Sequence, residues 1–154
     1  MKLLFLFILS LLISWSTVKG MDYPGKPPGK VRFHVSDAHL EVENAVISGQ
    51  WKLEAGRITS FTLKNLHTGQ SLTIRSGHLP KVHLIDGRVV DLAALSPVEP
   101  PCLENQKITA TFEDDPSGLT LHWSVTLNDG ANAIIQSLKL TASRDTEVEK
   151  LVFI

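Results

Sequence analysis

Between Leu119 and Asn128 the chain alternates without a break. Leu119, Leu121, Trp123, Val125 and Leu127 occupy one phase, and Thr120, His122, Ser124, Thr126 and Asn128 the other. A period of two is what an extended strand imposes, because successive side chains leave a pleated backbone on opposite faces. A helix would scatter those five apolar residues around its circumference. The strand is therefore expected to bury its Leu/Trp/Val face and to wet its Thr/His/Ser face. Trp123 should be a core residue and His122 a solvent-facing one.

The same period recurs along the chain. Val31, Phe33 and Val35 alternate with Arg32 and His34, and Leu40 and Val42 with Glu41 and Glu43. Ala45, Ile47, Gly49, Trp51 and Leu53 share a phase opposite Val46, Ser48, Gln50, Lys52 and Glu54. Ile108, Ala110 and Phe112 alternate with Thr109 and Thr111, and Ile134 to Thr141 forms a returning strand. Turn chemistry separates these runs: Ala55-Gly56, Thr68-Gly69, Asp86-Gly87, Asp115-Pro116-Ser117-Gly118 and Asn128-Asp129-Gly130. Ala93 to Glu104, with three prolines, reads as a connection. No window sustains a helical period. Roughly nine or ten short strands at about ten-residue spacing predict an all-β protein, an antiparallel β-sandwich of two packed sheets, with a closed barrel as the second choice.

The segments outside this pattern divide the chain. Residues 1–20 have Lys2 at the start, an apolar run from Leu3 to Ile13 and Val18-Lys19-Gly20 at the end. That is the layout of a secretory signal peptide cleaved after Gly20, and the run is about half the length a membrane span requires. An exported protein, periplasmic or secreted, with no membrane association after cleavage, is the expectation. Residues 21–30 carry three prolines and two glycines in Asp22 to Lys30 and read as a tether. Residues 31–154 are the sandwich domain. Its last seven residues, Val148 to Ile154 (VEKLVFI), are apolar on both phases, so this strand is expected to need cover on both faces. On that ground the sandwich is expected to be incomplete at its C-terminus, the front part of a longer protein.

Chemistry-bearing motifs are sparse. With 15 Lys and Arg against 16 Asp and Glu, the net charge of −1 and the scattered cations give no nucleic-acid footprint. Cys102 is the single cysteine, so no internal disulfide forms, and its Pro100-Pro101 setting suggests a free thiol rather than a nucleophile with a poised base. The six histidines have no ligand-like spacing, and His34, His39 and His122 fall on polar strand phases, so no metal site and no cofactor is expected. Asp114-Asp115 could evoke a carboxylate pair, but adjacent residues diverge and DDPSG is a turn. Trp51 and Trp123 could stack on sugars, but their apolar phase favours core packing.

Four stretches together carry a resemblance: Trp51-Lys52-Leu53-Glu54 running into a Gly turn; Phe61 to Gly69 (FTLKNLHTG); Leu119 to Asp129 (LTLHWSVTLND); and Gln136 to Ala142 (QSLKLTA). Their order resembles the N-terminal β-supersandwich domain, galactose-mutarotase-like, of secreted bacterial α-galactosidase-like glycoside hydrolases, over residues 35 to 154. The resemblance implies an accessory domain whose partner is a catalytic (β/α)8 barrel downstream in the same protein, with carbohydrate as substrate. The catalytic carboxylates would lie in that barrel, so no catalytic residue is assigned in this chain, and its ligand-binding residues are left unassigned. The alternative is a free-standing exported sandwich that binds glycan or a protein partner without catalysis.

Overall fold

A computed structural model describes residues 25–153. It is all-β, with twelve strands and no α-helix among the described residues. The strands form three antiparallel sheets. The first has the order β1 (Arg32–Val35), β2 (His39–Glu43), β3 (Ile47–Glu54), β4 (Arg57–Asn65) and β5 (Ser71–Arg75). The third pairs β6 (Lys81–Leu84) with β7 (Val89–Asp91) on one side and β12 (Val148–Val152) on the other. The second has the order β11 (Ile135–Ala142), β10 (Leu119–Thr126), β9 (Lys107–Asp114) and β8 (Cys102–Glu104). The sheets share one hydrophobic core, so the architecture is sandwich-like and open rather than a closed barrel. The predicted signal peptide and the first residues of the tether lie outside the described residues.

The long strand behaves as its alternation requires. Leu119, Leu121, Trp123, Val125 and Leu127 are all buried, while His122 is exposed and its ring nitrogens lie 3.3 and 3.4 Å from the hydroxyls of Thr111 and Thr141. The Trp123 indole meets the Trp51 ring edge-on at 5.3 Å, and Trp51 stacks on Phe61 at 4.6 Å. Such aromatic pairs add to area burial through their ring quadrupoles. Both indole N–H groups donate to one atom, Gln136 Oε1, each at 3.2 Å. One amide oxygen thus joins the first sheet to the second and satisfies two donors that burial would otherwise leave unpaired.

Gly49 has no room for a side chain. A β-carbon there would sit 2.5 Å from Ile134 Cδ1 and 3.3 Å from both Phe61 and Trp51. Gly49→Ala is expected to cost about 1–3 kcal/mol through overpacking. Adding Ile134→Val, which deletes the offending methyl, should recover part of that loss. A double-mutant cycle by urea denaturation checks it, and additive effects would contradict the contact.

The strands lie in three sheets rather than the two expected, and the structure departs from the sequence expectation in three further places. The strands number twelve rather than nine or ten. The stretch 93–104 is not merely a connection: Pro97 bridges to Phe112, and Cys102–Glu104 pairs with β9 as strand β8. Asn105 and Gln106 turn that hairpin at φ of 48° and 60°, a left-handed pair without glycine, which is why the turn chemistry hid it. Thirdly, Ser48 is buried rather than solvated, its hydroxyl donating to Glu41.

The final apolar run forms β12. It pairs only with β6, and Val148, Leu151, Val152 and Phe153 stay about two-fifths exposed (40, 43, 41 and 38%). The cover expected for this strand is not supplied by the described residues.

Candidate functional site

Burial across the inner faces of the two large sheets falls toward their edges, most at Leu72 on β5, and that edge defines the candidate site. In the first sheet the facing rows are Leu40–Trp51–Phe61–Ile74 and Val42–Gly49–Leu63–Leu72. Leu40 and Val42 are fully buried, Phe61 is 8% exposed, Ile74 and Leu63 are half-buried, and Leu72 is 60% exposed. The second sheet grades in the same sense. Leu121 and Trp123 on β10 are buried, while their neighbours on β11, Leu140 and Leu138, are half-buried. On the other flank β1 lies against β8, where inward-phase Leu103 stays 47% exposed; the most exposed inward-phase residue, Leu72, lies on the flank bounded by β5 and β11. These exposed apolar side chains, set among polar ones, make this flank the candidate interaction face.

At one end of the flank lies a groove of about 710 Å³, with Ile47, Leu63 and Leu72 as its floor and Lys26, His67, Gln70 and Asn132 among its walls. The tether segment forms one wall because Asp129, in the turn after β10, clasps it. The carboxylate accepts from Lys30 Nζ at 2.8 Å and from the Val31 N–H at 2.9 Å. Pro28 and Gly29 carbonyls accept from the Ala45 and Gly130 amides, each at 2.9 Å. These contacts hold the Asp129 carboxyl below the ordinary carboxylate range, chiefly through the Lys30 hydrogen bond. A depressed folded-state pKa contributes stability above the unfolded value that is lost as pH falls through the folded one. Acidification through and below the carboxylate range should therefore loosen the tether wall. The Val31 amide should lose protection relative to its intrinsic exchange rate at low pH, and Asp129→Ala, which removes the acceptor, should lack that protection already at neutral pH. A Val31 amide with the same protection across that range would contradict the clasp.

The sequence-derived candidates are placed as follows. Trp51 and Trp123 are core residues, each 1% exposed, and present no face to a sugar. Asp114 ends β9 and Asp115 opens the turn after it: an Asp114 side-chain oxygen accepts from the Ser117 N–H at 3.0 Å, and the Asp115 carbonyl accepts from Arg144. Glu43 pairs with Arg32 at 2.9 Å. His34 and His39 stack at 5.0 Å on the outer face of the first sheet. Among the described residues no cluster of three or more His, Cys, Asp or Glu side chains could hold a metal ion. Cys102 is a free, exposed thiol on edge strand β8. What the sequence reading missed is Gln136 and the flank. Gln136 shares its phase with Leu138 and Leu140, and that phase alone would have turned it inward.

No protein-family model, curated protein or solved structure matches the chain.

Proposed function

We propose that this chain is a non-catalytic accessory β-sandwich whose open flank packs against the catalytic module of an exported carbohydrate-active enzyme, an α-galactosidase-like glycoside hydrolase. The observation that carries the packing role is the graded exposure toward β5 and β11, where inward-phase residues such as Leu72 are left in water. A single domain gains by burying such a surface, at roughly 25 cal/mol per Å² of apolar area. The exposed apolar residues of β12 add a second surface that a neighbouring module would cover. The carbohydrate context rests on the resemblance of strand order, which is fold-level analogy. In this reading the chemistry belongs to the covering module, and the sandwich supports one wall of its cleft.

The test is to follow the reading frame past codon 154 and to express the longer product. Alternating strand and helix patterns with carboxylates at strand ends, and hydrolysis of α-galactosides by the longer product only, are expected. A frame that closes at that codon, with a monodisperse and stable product, would sink the reading. The second reading, a free-standing glycan binder, is favoured by the polar walls of the groove. It predicts retention of that short product on a galactoside affinity gel and weaker retention for Asn132→Ala.

A further inference from the structure

The open flank has an unpaired edge as well as an apolar face. Strand β5 ends the order of its sheet, so one side of its backbone has no partner strand. The phase of the ladder can be fixed. Asn65 N–H donates to the Gln70 carbonyl at 2.8 Å, so that pair is hydrogen-bonded, and the bonding alternates along the register from there. Leu72 and Ile74 therefore bond to β4, whereas Ser71, Thr73 and Arg75 turn their N–H and C=O groups outward. Side chains divide the same way. Leu72 and Ile74 are in phase with the inner face, and Ser71, Thr73 and Arg75 with the outer.

Charge around this edge has one sign. Between Glu54 and Asp86 the sequence has no acidic residue, yet it carries Arg57, Lys64, Arg75 and Lys81. Lys81 is paired with Asp91 at 3.0 Å, but neither Lys64 nor Arg75 enters an ion pair among the described residues. No carboxylate lines the adjoining groove. An isolated cationic rim of this kind favours an anionic partner and disfavours a cationic one.

We infer that β5 is a docking edge for an extended, acidic strand that joins the first sheet as a sixth member. This rests on the proposed packing role of the flank and names its contact: the strand is supplied by the covering module. Its outward residues are Asp or Glu, beside Arg75 on β5 and within reach of the long Lys64 side chain one strand further in, and its inward residues are apolar, laid beside Leu72 and Ile74. Main-chain hydrogen bonds to Ser71, Thr73 and Arg75 supply affinity, and the alternating side chains supply selectivity, as in other cases of strand addition.

The probe is a short synthetic peptide alternating Glu with Val, labelled for fluorescence anisotropy, with a Lys–Val peptide as its counterpart. The Glu–Val peptide is expected to bind and the Lys–Val peptide is not, and binding should weaken as salt rises. Thr73→Pro removes an outward N–H but no bond to β4, and edge strands tolerate proline. It should weaken binding by about tenfold or more. Lys64→Glu with Arg75→Glu should reverse the preference between the peptides, which keeps the test decisive even if the proline variant does not fold. Equal binding of both peptides, or indifference to both variants, would overturn the inference. So would self-association through β5, read as a dimer that Thr73→Pro dissociates, or competition by a galactoside alone. If the peptides fail while the longer product still buries Leu72 and Leu140, the packing role stands and the added strand does not.

Discussion

Trp123→Ala is expected to destabilise the sandwich by about 3–5 kcal/mol, whereas His122→Ala, one residue away, should shift stability by no more than about 0.5 kcal/mol. The tryptophan is 1% exposed, packs edge-on against Trp51 and sits midway along a strand whose inward residues are all buried. Removing it leaves a cavity that neighbours on two sheets cannot fill, and the loss is a large part of the roughly 5–15 kcal/mol that holds a domain together. His122 faces water between two threonines, and exchanging its contacts for water costs little. Urea melts of the two variants measure the difference. A more damaging His122→Ala would mean that the strand's register is displaced by one residue, which inverts every inside and outside assignment along it.

Gln136→Leu is expected to cost about 2–4 kcal/mol, although leucine is the more hydrophobic side chain. The Gln136 amide oxygen accepts from both buried indoles, so the change strands two donors at once, each carrying a desolvation penalty of about 1–3 kcal/mol. Gln136→Glu keeps the acceptor and should be tolerated better than Gln136→Leu. The readout is chemical denaturation followed by tryptophan fluorescence. Because Trp51 and Trp123 are on different sheets, loss of the shared acceptor should also loosen the sheets against each other, seen as faster exchange of the Trp indole protons. A Gln136→Leu variant as stable as the parent would show that the indoles find other partners.

The fold was legible where the period-two signal was long and bounded by turn chemistry. Strand β10 shows its inner and outer faces in the bare order of residues, and the Asp86-Gly87 turn, with Gly87 at φ of 86°, marks its hairpin without ambiguity. Strand β8 was hidden by the prolines before it and by a turn made from Asn105 and Gln106, residues that carry no strong left-handed preference of glycine's kind. The pairing of β12 with β6 joins segments more than sixty residues apart, and no local pattern encodes it. The groove is more remote still, because its lining comes from the tether, from β3, from the β4–β5 hairpin and from the turn before β11. Spacing along the chain cannot reveal a site assembled from four separated stretches. Composition did contain one clue, the acid-free stretch between Glu54 and Asp86, but its meaning depends on knowing that β5 lies at an edge.

If the reading frame encodes a longer product, as the proposed function expects, amide hydrogen exchange compared between that product and the chain of residues 1–154 tests the central claim that the β5 and β11 flank is a packing face. In the shorter chain the Thr73 and Arg75 amides should exchange rapidly, since no strand pairs with that edge, and those of Leu121 and Trp123 slowly. In the longer product Thr73, Arg75 and the outward amides of β11 should gain strong protection while the exposed β8 edge stays unchanged. Protection that is identical in the two forms would contradict the account, because the flank would then be a surface that the protein leaves open to water.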